Sequence, residues 1–167
     1  AALTELGTPC VLKTADFGYD GKGQQKLTGG EDPVAVWKNL NAPRGVLEQW
    51  VTFEKEISVV AARALDGSFA AFPPCENEHF RHILDVTIAP ARIAPETAAE
   101  ATALTEKIAA ALDYTGTLAV EFFLTREGRL VVNEIAPRPH NSGHHTIDAC
   151  CTNQFEQQLR AVAGLPL

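Results

Sequence analysis

The stretch TLAVEFFLTREGRLVVNEIA, Thr117 to Ala136, decides the fold. It reads as two apolar-rich strands, Thr117 to Leu124 and Arg129 to Ala136, flanking Glu127-Gly128, a candidate two-residue hairpin loop. With those two residues as the loop, Arg126 faces Arg129 and Glu121 faces Glu134. Same-face neighbours across an antiparallel pair lie about 5 Å apart, and like charges there repel. Leu118, Val120 and Phe122 on one strand and Val131, Val132 and Ile135 on the other predict a largely buried sheet, in which unpaired carboxylates are strongly disfavoured. Three outcomes stay open: a divalent cation shared by the pair, an arginine such as Arg63 or Arg138 neutralising Glu121, or a register slipped by one residue. Oxygen ligands on a rigid sheet favour magnesium, which binds through one or two carboxylates plus substrate phosphates.

Working outward, Val11 to Thr14, Gln24 to Leu27, Gly45 to Val51 and Leu84 to Ala89 have strand character, and Asp32-Pro33 opens a short helix carrying Val34 and Trp37. Glu54, Glu56 and Ser58 alternate with Ile57, Val59 and Ala61 until Asp66-Gly67 turns the chain into Ser68 to Phe72. Pro95 starts the clearest helix, with Ala101, Leu104, Ile108, Ala111 and Leu112 on one face. From about Gly143 the tail carries Ile147, Cys151, Phe155, Leu159 and Val162 at helical spacing, and Gly164 and Pro166 stop it. Strands and helices mixed with hairpins predict an α+β fold with mainly antiparallel sheets.

Composition narrows the functions. Fourteen basic and 21 acidic side chains give a net charge of −7 over 167 residues, so general nucleic-acid binding is a poor expectation. No apolar run approaches the roughly 20 residues that span a bilayer, so neither a membrane span nor a membrane partner is expected. Cys10, Cys75, Cys150 and Cys151 make no C-x-x-C pair, which suits neither a disulfide framework nor a zinc ribbon and predicts a reducing cytoplasm.

Two further segments carry chemistry. Gly18, Gly21 and Gly23 form a loop that follows Lys13 on a strand and carries Lys22; its backbone amides suit phosphate, although it lacks the Walker ending. A plain glycine turn is the rival for this loop taken alone. Ala136 to Gly143 packs two prolines with Arg138, His140, Asn141 and Ser142 directly after the acidic strand, a composition typical of binding loops. His140 and His144 are spaced as in some zinc sites, but the surrounding proline and glycine break the helix such a site needs. His79 and His82 read by default as surface histidines. Glycine loop, strand lysine and acidic pair together imply a magnesium nucleotide.

The segments Val11-Leu-Lys-Thr14, Gly18-Tyr-Asp-Gly-Lys-Gly-Gln24, Glu54-Lys-Glu-Ile-Ser-Val-Val-Ala-Ala-Arg63 and Asn133-Glu-Ile-Ala-Pro-Arg-Pro-His-Asn-Ser-Gly143 together resemble the ATP-grasp portion of the N5-carboxyaminoimidazole ribonucleotide synthetases. The resemblance runs over essentially the whole chain. It implies an ATP-grasp fold of two α+β lobes: residues 1–50 a partial small lobe with the phosphate flap, residues 51–167 a large lobe with the metal and acceptor residues. It implies a carboxylating ligase, in the purine route also described as a lyase. ATP and Mg2+ would be the cofactors, and aminoimidazole ribonucleotide and bicarbonate the substrates, joined through carboxyphosphate. A homodimer is implied for the full-length protein. The family's N-terminal nucleotide-fold domain and C-terminal small domain are not among these residues, so a fragment that binds nucleotide without catalysis is one alternative. Another formate- or bicarbonate-using ATP-grasp ligase of purine synthesis is the other.

Residue by residue, the resemblance implies that Lys13 meets the ATP phosphates while Gly18, Tyr19, Asp20, Gly21, Lys22, Gly23 and Gln24 cover them. Phe17 stands where a second glycine often precedes that loop. Glu48, Gln49, Trp50 and Val51 correspond to the hinge that meets adenine, Glu56 to the ribose partner, and His79 to a nucleotide-side residue, against its default reading. Glu121 and Glu134 correspond to magnesium ligands, with Asn133 beside them. Tyr19, Asp20, Gln24, His140 and Asn141 face the acceptor ribonucleotide, Arg138 meets bicarbonate or its phosphorylated form, and Asp20 is the candidate base for the amine. Two prolines after Glu134 are expected to carry His140 off the metal-bearing strand and away from the triphosphate.

Overall fold

The computed structural model describes residues 2–16 and 22–167. The chain divides into two compact units, Ala1–Thr52 with Arg81–Ile83, and Phe53–Phe80 with Leu84–Leu167.

The first unit opens with α1 (Ala2–Leu6), β1 (Cys10–Thr14), β2 (Gln24–Leu27), α2 (Pro33–Leu40) and β3 (Gly45–Gln49). Its three strands pair antiparallel in the order β2-β1-β3. Cys10, Leu12, Leu27 and Val36 form the core. The start of α2 follows its sequence signals: Pro33 occupies the first turn, and the Asp32 side chain accepts from the Val34 amide at 3.0 Å. Val36 is the buried residue of that helix, whereas Val34 and Trp37 face outward.

The second unit contains β4 (Lys55–Arg63), β5 (Phe69–Ala71), β6 (Cys75–Phe80), β7 (Ile83–Ile88), α3 (Pro95–Ala111), β8 (Gly116–Leu124) and β9 (Leu130–Ala136). A 3-10 turn at Asn141–Gly143, α4 (Thr146–Ala149) and α5 (Gln154–Ala163) follow. The sheet runs β7-β6-β4-β8-β9, with β5 also pairing with β4. On one face Ile57, Val59 and Ala61 of β4 join Leu118, Val120 and Phe122 of β8 against Ala101 and Ala109 of α3. Small residues sit where this helix meets the sheet, so Leu104 and Ile108 are only partly buried and Leu112 is exposed.

Two expectations are corrected, and one strand had gone unread. The sheet is buried along β4 and β8 but not along β9, an edge strand whose Val132 and Ile135 are exposed. The strand β6, sequence CENEHF, had no apolar alternation to betray it. Its Glu76 is buried and bound instead by Lys55 Nζ at 3.0 Å and Arg92 Nη2 at 2.5 Å, which hold its carboxyl down at about 2, Arg92 contributing most. Its turn into β7 places Arg81 and His82 at φ 52° and 67°, a left-handed pair usually written with Asn-Gly. The tail is also not one helix. It breaks at Cys150, and α5 buries Gln154, Gln157 and Ala161 while Phe155, Leu159 and Val162 face outward, the reverse of the apolar-inward expectation.

Candidate active site

Glu121 and Glu134 do face each other across β8 and β9. The route to that pairing differs from the two-residue loop. Thr125 donates to the Arg129 carbonyl at 2.9 Å and Gly128 to the Thr125 carbonyl at 3.0 Å, which makes a three-residue loop, Arg126 to Gly128, with Gly128 at φ +79°. That loop pairs Leu124 with Leu130 and Phe122 with Val132, one residue out of the expected register. A bulge then inserts Asn133 and restores it, so Glu121 meets Glu134.

Glu121 lies on the sheet face opposite α3, beside Ser58 of β4. Burial first, then the charge of Glu134, pushes its carboxyl up to about 7, against smaller opposing effects of His79 and Arg138. The arginine alternatives are not taken up. Arg63 binds the Tyr114 carbonyl at 3.0 Å and Asp113 at 3.2 Å, and Arg138 donates to the Pro139 carbonyl at 2.9 Å.

His140 is the side chain that approaches Glu121, Nε2 to Oε1 at 3.4 Å. Burial, then the charges of Arg138, His79 and His144, pushes its imidazole down to about 4, so at neutral pH this contact is not an ion pair. The Ser142 amide can only donate, and it points at His140 Nδ1 at 3.3 Å. The Ser142 hydroxyl lies closer to that nitrogen, at 2.9 Å, and a hydroxyl meets either tautomer of the ring. His140 is thus not carried away from the acidic pair. Gln154 folds it back, accepting from the His140 amide and donating to its carbonyl, each at 2.8 Å. A Cβ on Gly143 would collide with the Gln154 amide, which explains the glycine. Gln154 escaped sequence reading because its helix buries a polar face.

Asn141 is exposed on the same loop and, with Leu84, Asp85, Thr87, His144 and His145, lines a cavity of about 380 Å³. Glu56 pairs with His79 Nδ1, and this partner, with further help from Glu121 and Glu134, raises the histidine above its ordinary value despite burial. All four cysteines are free, and burial pushes Cys75 up to about 12.

In the first unit Lys13 Nζ lies 2.6 Å from Glu48 Oε2, a diagonal contact between β1 and β3. Gln49 ends β3. Trp50 follows, its amide donating to the Pro9 carbonyl at 3.2 Å and its ring lying under Lys26 Nζ, and Val51 comes next, before the unit ends. Gly18, Tyr19, Asp20 and Gly21 lie outside the described residues. Beyond them Lys22 makes an isolated bridge, Gln24 begins β2, and the Gly23 carbonyl accepts from Thr14 at 2.7 Å. Gly23 has φ +73°, and a Cβ there would press on the Thr14 hydroxyl.

The ATP-grasp domain model matches residues 1–155. The chain belongs to the ATP-grasp family. This ATP-grasp chain is 48% identical over 166 residues to the N5-carboxyaminoimidazole ribonucleotide synthase of Bacillus subtilis, covering 99% of the chain and 44% of that relative. A solved ADP complex of an N5-carboxyaminoimidazole ribonucleotide synthetase superposes with a TM-score of 0.92 at 49% identity, over 99% of this chain and 44% of that one. The Aspergillus clavatus synthase, solved with ADP and 5-aminoimidazole ribonucleotide, superposes at 0.85 with 30% identity, over 99% and 43%. The chain thus spans less than half the length of these relatives. The α+β ATP-grasp fold stands as expected.

The donor set fits a hard divalent cation of the kind ATP-grasp ligases use. Two carboxylates converge, and burial, then the charge of Glu134, raises the Glu121 carboxyl to about 7. Among the described residues no cluster of three or more His, Cys, Asp or Glu side chains is poised on a metal, so phosphates and water must complete the shell. Among the same residues no helix is long and apolar enough to cross a membrane.

Proposed function

We propose that this chain is the ATP-grasp portion of an enzyme that uses ATP and bicarbonate to carboxylate 5-aminoimidazole ribonucleotide, giving N5-carboxyaminoimidazole ribonucleotide. The observation that carries the reading is the 48% identity to a named synthase over 99% of the chain, the loop folded against the acidic pair included. A cytoplasmic location is carried by the cysteine pattern, and a homodimer for the whole protein by the resemblance alone.

In this reading a bicarbonate oxygen bonds the γ-phosphorus as the bond to the bridging oxygen breaks, and ADP leaves. The carboxyphosphate formed releases phosphate and carbon dioxide within the site. The amine of the ribonucleotide then bonds the carboxyl carbon and gives up a proton, with Asp20 as the proposed acceptor. Magnesium, when bound, supplies positive charge to the phosphate oxygens, and Glu121 and Glu134 would hold it. Lys13 adds charge stabilisation to the leaving oxygens, the main task in phosphoryl transfer. Glu56, paired with His79, would take the ribose hydroxyls. His140, with Nδ1 held by Ser142 and Nε2 turned toward Glu121, would position the acceptor side of the site. Asn141 and the cavity beside it are where the acceptor is assigned, and Arg138 is assigned to the carboxyl donor.

The test is ADP release by the full-length protein. It should require both bicarbonate and 5-aminoimidazole ribonucleotide. Release supported by formate in place of bicarbonate would transfer the protein to another ATP-grasp ligase, and nucleotide binding without release would leave a binding module.

A further inference from the structure

On the face that carries Glu121, a polar chain crosses three strands, from Thr87 at the cavity to the buried Asn77 and Ser58, which have no part in the roles above. Thr87 on β7 donates through Oγ1 to Asn77 Oδ1 at 3.3 Å, and Asn77 on β6 donates through Nδ2 to Ser58 Oγ at 2.8 Å. Ser58, on β4, is fully buried, and Glu121 is its cross-strand partner on β8. A serine hydroxyl has one proton and two lone pairs. With Asn77 donating into a lone pair, Ser58 keeps its proton to give, and leaving a buried donor unused is unfavourable. Directly paired side chains of adjacent strands stand on one sheet face about 5 Å apart, and of the two residues paired with Ser58, Cys75 on β6 and Glu121 on β8, the Glu121 carboxylate is the stronger acceptor.

We propose that Ser58 is a positioning residue for the cation site: its hydroxyl donates to Glu121 and aims that carboxylate at magnesium brought in with the nucleotide, while Asn77 and Thr87 fix the direction of donation. The inference rests on the metal reading of the acidic pair. A hydroxyl suits this position better than a cationic side chain. Lysine or arginine there would neutralise Glu121 and compete with the metal, whereas a hydroxyl orients an oxygen and leaves the negative charge in place. Outer hydrogen-bond partners of metal ligands commonly contribute about 10- to 100-fold in metal affinity.

The experiment titrates ADP into the intact chain by calorimetry over a series of Mg2+ concentrations and in EDTA, for the wild type, Ser58→Ala, Glu121→Gln and the double variant. Ser58→Ala should raise the Mg2+ concentration for half-maximal enhancement of ADP binding by about tenfold, leave ADP affinity in EDTA unchanged, and add nothing once Glu121 is glutamine. Should Ser58→Ala prove unfolded in a melting scan, Ser58→Cys, a weaker donor of similar size, must shift the Mg2+ dependence in the same direction. A wild-type Mg2+ response in the serine variant overturns the proposal, as does a further loss in the double variant. A wild type that ignores Mg2+ removes the metal reading itself and this inference with it.

Discussion

The two faces of the second sheet share the same strands and follow opposite physics. Toward α3, Ile57, Val59, Leu118, Val120 and Phe122 are buried against apolar neighbours, and burial alone accounts for the arrangement. On the other face Glu56, Ser58, Asn77, His79, Glu121 and Glu134 bring together like charges and hydrogen-bonding groups that the protein does not fully compensate. One face is finished by folding. The other keeps an electrostatic deficit that a cation and a nucleotide can fill, and it survives because the finished face holds the strands in register.

The largest expected effect tests that dependence. Phe122→Ala should destabilise the chain by about 3–5 kcal/mol, since a buried aromatic is removed from a close-packed layer. Where the variant remains folded, its Mg2+-dependent ADP binding should persist at low temperature; loss of that binding in a fully folded variant would show that the faces are not separable.

Glu121→Gln should do the reverse, abolishing Mg2+ dependence while making the apo protein more stable. The folded state raises this carboxyl from 4.5 to about 7 and so favours its protonated form. The stability associated with protonation is present below about pH 4.5 and lost as pH rises through 7. The wild type therefore carries the penalty above pH 7, on the order of 3 kcal/mol. Melting temperatures of the two proteins should converge at pH 4 and separate at pH 8, the variant higher. The opposite order at pH 8 would mean that Glu121 already has a countercharge.

Gly143→Ala addresses the lid of the polar face. A methyl group there displaces the Gln154 amide that holds His140, at a cost of about 1–3 kcal/mol. The full-length enzyme should lose turnover with little change in ADP affinity in EDTA. Equal losses of both would place the His140 loop in the nucleotide half of the site.

Gly128→Ala is the mildest change. Nothing lies within 4 Å of the added Cβ, so only the left-handed backbone at φ +79° resists it, at about 1–2 kcal/mol. Mg2+ dependence should be untouched, because the Asn133 bulge as well as the loop sets the pairing of Glu121 with Glu134. A lost Mg2+ response would assign the register to the loop alone.

That hairpin also shows how sequence reading reached the site. Counting from a two-residue loop named the right pair through two errors that cancel, a loop one residue longer and a bulge one residue wide. Periodicity found β4, β8 and β9 because alternation or sustained apolarity marks them. It missed β6, where Glu76 and Asn77 are buried through partners remote in sequence, and it misjudged α5, whose buried face is polar.

The sequence by itself determined the α+β class, most strand positions, the acidic pair and the loop rich in proline and histidine, because each depends on local pattern or on spacing within one hairpin. Tertiary structure alone decided that His140 turns back onto Glu121, that Gln154 locks the loop, and that Ser58, Asn77 and Thr87 form a row on the face of the carboxylate. The physical reason is range. Hydrogen-bond partners and burial bring together residues far apart in the chain, and no periodicity encodes which buried polar group will find which partner.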